Sequence, residues 1–170
     1  MMYKVLFICK HNAGRSVLAE SIATNILPAD FSVTSGGSHP TGKVHPVVQK
    51  YLDDHQLPIP HIHTHSWEER TQFLPDIVII LCDSLHQETA PQWLAGGVRV
   101  NWQVDAFPTD GSDEDMYAHC EKVAQSLERR ITKMSDMIID GLGKDQIRDY
   151  LNELREIFKR RPTGRLLNIR

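Results

Sequence analysis

Tyr3-Lys4-Val5-Leu6-Phe7-Ile8-Cys9-Lys10-His11-Asn12-Ala13-Gly14-Arg15-Ser16 decides how the 170-residue chain is read. Its first half holds the unbroken apolar run Val5-Leu6-Phe7-Ile8, the pattern of a strand covered on both faces. From Arg15 to Leu27 the composition suits a helix, which Pro28 stops. A loop between such a strand and such a helix can wrap successive backbone N–H groups around one tetrahedral anion. The helix N-terminus adds its positive dipole in the same direction. Ala13 and Gly14 keep the loop small, and Arg15 offers a planar fork for two oxygens. The same field favours the thiolate of Cys9, which makes it a nucleophile, and the Ser16 hydroxyl can donate a hydrogen bond to that sulfur. Lys10, His11, Asn12, Ala13 and Gly14 therefore form the expected substrate cradle, with Asn12 locking the loop through its own backbone contacts. His11 either tunes the field of the loop or faces solvent.

Outward from this motif, Phe31–Thr34 reads as a second strand closed by Ser35-Gly36-Gly37, and His45–His55 as a helix with Pro46 in its first turn. Ser66-Trp67-Glu68-Glu69 is a capping box opening a short helix. Ile77–Leu81 and Val98–Asn101 read as further strands. Ser112-Asp113-Glu114-Asp115 caps a long helix with Met116, Cys120, Val123, Leu127, Ile131 and Met134 on one stripe. A last helix carries Ile147, Tyr150, Leu151, Leu154, Ile157 and Phe158. This order predicts a single α/β domain: an open, four-stranded, mostly parallel sheet with helices on both faces. The expected boundaries are residues 1–138 for the sheet domain and 139–170 for a C-terminal helical extension with a basic tail. Ligands of such sheets sit outside the carboxyl ends of the strands. Cys9, Cys82 and Asp105 each follow a strand, so they are expected along one edge.

Composition bounds the function. Charged residues make up 24% of the chain and the formal net charge is −3, which suggests neither a nucleic-acid binder nor a membrane-surface protein. The stretch Arg155–Arg170 departs from this, with six basic residues and one acid. It reads as a helix end whose cations suit the dipole, or as an anion contact. Three widely spaced cysteines do not make a disulfide framework, the apolar run at the start is too short for a signal peptide, and no stretch could span a bilayer. A cytoplasmic protein is the expectation. The run His61-x-His63-x-His65 would put three imidazoles on one side of an extended strand, as a metal site requires, but Pro58 and Pro60 mark a loop there and no metal is expected. Cys120, on an apolar helical stripe, reads as a buried structural thiol. The three tryptophans read as packing residues, with Trp102 a candidate wall of the site.

The oxyanion loop and the segments Thr34-Ser35-Gly36-Gly37, Val44-His45-Pro46, His65-Ser66, Val78-Ile79-Ile80-Leu81-Cys82-Asp83 and Trp102 with Asp105 resemble the low-molecular-weight protein tyrosine phosphatase superfamily, especially its arsenate reductase branch. The resemblance covers about residues 3–135. It implies that Cys9 attacks arsenate, Arg15 clamps the oxyanion, Ser16 supports the thiolate, Asp105 protonates the leaving oxygen and Cys82 is the second thiol. Thioredoxin-coupled members carry another cysteine about seven residues beyond the second, where this chain has Thr89. The small-thiol-dependent type is therefore the nearer likeness. It implies no tightly bound cofactor and an external reductant: glutathione or mycothiol with a glutaredoxin-like, or else thioredoxin-like, protein. The family's Asp-Pro pair is replaced by Asp105-Ala106-Phe107-Pro108, and Asp110 and Asp113 are weaker candidates for the acid. Cys82 also reads as a small core residue.

The resemblance leaves rival activities. A phosphatase would hydrolyse a phosphocysteine with water and leave Cys82 unused. The absence of Tyr after Asp105 until Tyr117 favours the reductase over a phosphatase gripping an aromatic substrate. A non-catalytic oxyanion sensor is the third reading. The expected assembly is a monomer or weak dimer.

Overall fold

The computed structural model describes residues 3–82, 97–108, 110–136 and 142–159, with side chains in the last segment up to Glu156. Expectations for Thr89, Trp93, the side chains of Ile157 and Phe158, and the tail beyond Lys159 lie outside these residues. The strands are β1 (Tyr3–Cys9), β2 (Phe31–Gly37), β3 (Ile77–Ile80) and β4 (Val98–Asn101). The helices are α1 (Arg15–Ile26), α2 (Pro46–Asp54), α3 (Asp113–Ser135) and α4 (Lys144–Lys159), with a 3₁₀ helix at Trp67–Phe73.

The sheet has the order β2-β1-β3-β4, and every pairing is parallel rather than mostly so. Val5, Leu6, Phe7 and Ile8 have no exposure, so consecutive residues of β1 are covered on both faces of the pleat. That is what their unbroken apolar run demanded. From β1 the chain crosses over α1 to β2 on one side and later returns to β3 on the other. The strand order therefore reverses at β1, and the crevice at its carboxyl end is where such sheets bind ligands.

β2 is longer than its sequence suggests. It runs through the glycines to Gly37, which pairs with Cys9. A Cβ on Gly37 would meet the Lys10 carbonyl oxygen at 2.7 Å and the Asn12 nitrogen at 2.9 Å. The glycine is there because the oxyanion loop lies directly on the strand.

The capping boxes at Ser66 and Ser112 both form, with Glu69 and Asp115 as the returning side chains. All six predicted stripe residues of α3 are buried, and the apolar positions Ile147, Leu151 and Leu154 of α4 pack toward β4 and α3. The indole Nε1–H of Trp102, fully buried, donates to the Leu151 carbonyl at 3.0 Å and so ties α4 to the end of β4. Trp102 is a packing residue away from the oxyanion loop. Among the described residues no helix is long and apolar enough to cross a membrane.

Replacing Trp102 with Phe removes the buried indole bond to the Leu151 carbonyl and part of the ring that packs there. The expected cost is about 1–3 kcal/mol. Urea denaturation should read that loss, and hydrogen exchange should speed up in α4 ahead of β1; equal protection of the two elements would count against the tie.

Candidate active site

Gly14 precedes α1 as its N-cap residue, with no side-chain capping bond, and no acid occupies the first turn. The first N–H groups of the helix thus remain available to an anion. Cys9, His11, Ala13, Gly14 and Arg15 line one pocket of about 270 Å³, together with His45 from the start of α2, the segment Ala106–Pro108 and Met116 of α3. Asn12 and Ser16, both fully buried, lie beneath it.

Cys9 Sγ and Ser16 Oγ are 3.0 Å apart. The Asn12 amide Nδ2 donates to the same Ser16 oxygen at 2.7 Å, which leaves the hydroxyl proton for the sulfur when Cys9 is a thiolate. Nδ2 also donates to Ser35 Oγ at 3.0 Å, and that hydroxyl in turn donates to Glu20 Oε1 at 2.6 Å. His61 closes the network: its Nδ1 donates to the His63 carbonyl at 2.8 Å. Nε2 faces Ser35 Oγ at 3.2 Å and Glu20 Oε1 at 3.4 Å. The Asn12 carbonyl oxygen accepts from the backbone N–H of His65 at 2.8 Å. Asn12 adopts φ 54°, in the left-handed region that Asn tolerates, so its predicted locking role has a conformational and a hydrogen-bonding part.

Composition gave no sign of Ser35, Glu20 or His61 as part of this site. Within the His61-x-His63-x-His65 run the rings of His61 and His65 meet edge-on, with centroids 4.8 Å apart. His61 is spent on Ser35 and Glu20, His65 on Glu69 at 2.9 Å, and His63 is exposed. Among the described residues no three potential ligands gather.

Arg15 Nη1 donates to the carbonyls of Val104 at 3.2 Å and Leu81 at 3.5 Å, which anchors the guanidinium across the ends of β3 and β4. His11 is exposed as a residue. Desolvation of its ring, ahead of repulsion from Lys10, Arg15 and His39, nevertheless lowers its pKa below the ordinary 6.5. These surroundings favour the neutral form of the ring where it lines the pocket. The Lys10 side chain is half-buried, and its carbonyl accepts from the N–H of His39 at 2.7 Å. Phe107 was not anticipated. Its ring lies 2.3 Å from where a Cβ on Gly14 would be, so the glycine makes room for that side chain.

The other expected groups are less tightly gathered. Leu81 donates its N–H to the Ile8 carbonyl at 2.8 Å and continues the ladder opposite Cys9, which puts Cys82 one position farther along. Cys82 is buried. Asp105 is exposed and faces a second cleft, on the other side of the segment whose Ala106–Pro108 line the oxyanion pocket. Cys120 is fully buried, and burial pushes its thiol up to about 11.

A helix N-terminus, a supported cysteine and an arginine around one small pocket define an enzyme that works on a tetrahedral oxyanion. The chain belongs to the low molecular weight phosphotyrosine protein phosphatase family, which it matches over residues 4–147. It is 27% identical over 135 residues to the glutaredoxin arsenate reductase of Synechocystis sp., covering 79% of this chain and all of that one. It is 24% identical over 133 residues to the arsenate reductase of Halalkalibacterium halodurans, covering 78% of this chain and 94% of the relative. A solved arsenate reductase in a phosphate-binding state superposes with a TM-score of 0.63 at 28% identity, over 79% of this chain and all of that one.

Two measurements test this geometry. Replacing Asn12 with Ala strips the loop of three contacts and puts a residue ill-suited to φ 54° there; about 2–4 kcal/mol of stability should go. Oxyanion binding, read by phosphate inhibition, should weaken in parallel. At pH 8 a thiol of pKa about 11 is ionised to about one part in a thousand. Iodoacetamide mapped by mass spectrometry should therefore spare Cys120 in the folded protein and label it on unfolding.

Proposed function

We propose that the chain reduces arsenate to arsenite. The Cys9 thiolate attacks arsenic, an oxygen leaves as water with a proton from Asp105, and a Cys9–arsenic adduct results. A second thiolate then attacks the Cys9 sulfur. The S–As electron pair passes to arsenic, which leaves as arsenite, while Cys9 and the second thiol form a disulfide. Arg15 and the N–H groups at the head of α1 hold the oxyanion, Ser16 supports the thiolate, and residues 10–14 shape the cradle. Asp105 has to turn its carboxylate across the Val104–Pro108 segment to reach the leaving oxygen.

The observation that carries this reading is Cys82, a buried cysteine one position beyond the residue opposite Cys9 on the neighbouring parallel strand. Combining the spacing between strands with the rise of one residue, the two Cα atoms lie about 6 Å apart, within the span a disulfide bridges, provided the chain beyond β3 turns the Cys82 side chain toward the face of Cys9. The arsenate reductases among its relatives, one of them named for glutaredoxin, support the same chemistry and an external thiol. Glutathione or mycothiol with a glutaredoxin-like protein is the proposed reductant, and the cytoplasm the proposed compartment. Phosphate monoester hydrolysis needs the same cradle but no second thiol.

Arsenate turnover measured with glutathione/glutaredoxin, mycothiol and thioredoxin systems, beside hydrolysis of an aryl phosphate, separates the two. Reduction should proceed with a small-thiol system and fall at least about tenfold in Cys82→Ser. Rapid aryl phosphate cleavage, with no arsenate turnover and an indifferent Cys82→Ser variant, would establish a phosphatase. Asp105→Asn should slow adduct formation by about 10²–10⁴ in pre-steady-state kinetics. An unchanged first step would remove Asp105 from the role of acid.

A further inference from the structure

Behind Asp105 lies a cleft of about 560 Å³, walled by the end of β4 and by α3. Its charged lining is Lys122, Arg129 and Arg130 against the single carboxylate of Asp105. Arg130 is only 2% exposed, yet among the described residues it forms no ion pair with a carboxylate. Its guanidinium donates to Ser126 Oγ at 2.6 Å and to the Leu154 carbonyl at 3.4 Å, and lies over the Trp102 ring. A buried cation held only by neutral groups is costly. Desolvation, with repulsion from Arg129 and Arg155, pulls it down to about 10, and Asp105 opposes them. The Nε2 of His119, also on this wall, is buried without a hydrogen-bond partner among the described residues. The His119 ring meets Phe107 edge-on at 5.2 Å, so this wall backs the aromatic ring that packs on the oxyanion loop.

The spacing of the cations argues against one compact oxyanion. Lys122 and Arg129 are seven residues apart on α3, roughly 10 Å along its axis, with Ser126 between them. Two separated carboxylates suit them better, and Asp105 can take one ammonium. We infer that this cleft binds a zwitterionic small thiol peptide of the glutathione class, through its two carboxylates on Lys122 and on the Arg129–Arg130 pair, beside the segment that separates the cleft from Cys9. The inference rests on the reading of the chain as a thiol-dependent arsenate reductase, for which it names the docking place of the reductant.

Calorimetric titration of the full chain with S-methylglutathione, which cannot exchange disulfides, tests binding apart from turnover. Saturable binding is expected. It should be weakened about tenfold or more in the exposed double variant Lys122→Glu/Arg129→Glu, and likewise in Lys122→Gln/Arg129→Gln. A glutathione ester with both carboxylates blocked should not bind. In arsenate reduction the same variants should raise KM for glutathione by a similar factor while kcat at saturating thiol holds. Absence of saturable binding to the native chain, or equal binding by the variants, overturns the site. If S-methylglutathione binds and the variants lose it while no arsenate is reduced, the cleft stands and the reductase reading falls.

Discussion

Asn12 holds a left-handed backbone conformation while its amide group reaches Ser16, Ser35 and the backbone of His65. Those partners come from α1, from β2 and from the segment that follows α2, so one side chain joins three parts of the chain beneath the oxyanion pocket. Each contact has a consequence above it. The bond to Ser16 orients a hydroxyl toward Cys9, the bond to Ser35 brings in Glu20 and His61, and the bond to His65 holds a distant segment against the loop. A fully satisfied buried network of this sort specifies one arrangement, whereas a partly satisfied one would cost more than an apolar core.

Most of the scaffold was legible because local pattern and tertiary burial agree. The unbroken run at Val5–Ile8 demanded two covered faces, the capping boxes stated where two helices begin, and the stripe on α3 is buried as its spacing requires. The end of β2 was not legible. Gly36 and Gly37 read as turn residues, yet they continue the strand because the loop from β1 needs a surface without Cβ atoms. The network that runs from Asn12 through Ser35 was hidden for a related reason: Ser35, Glu20 and His61 are far apart in sequence, and only the packing of α1 and of the segment after α2 around β2 brings them together. The histidine run fits a metal pattern by spacing alone, and the rings of His61 and His65 are each placed beside a carboxylate, Glu20 and Glu69.

The Val104–Pro108 segment has two sides with different chemistry. Phe107 faces the oxyanion loop and limits the space at Gly14, while Asp105 faces a cleft rich in cations. Arg15 holds the segment from the loop side through the Val104 carbonyl, and His119 backs it through the Phe107 ring. A group docked on either side therefore acts on the backbone that forms the other wall. That coupling needs no long chain of contacts, because the two cavities share the same few residues.

The parallel register also governs when Cys9 acquires its character. β1 precedes both of its partners, β2 and β3, and the residues around the sulfur lie later in the chain than Cys9 itself. During synthesis Cys9 emerges ahead of Ser16, Ser35, His61 and His65, and for that interval its sulfur lacks every one of these neighbours. Parallel pairing across crossovers forms late, because chain closure has to come first. The pocket around the Cys9 sulfur is thus absent from the nascent chain and comes into being with the closing of the sheet, which ties the surroundings of that thiol to the order of folding.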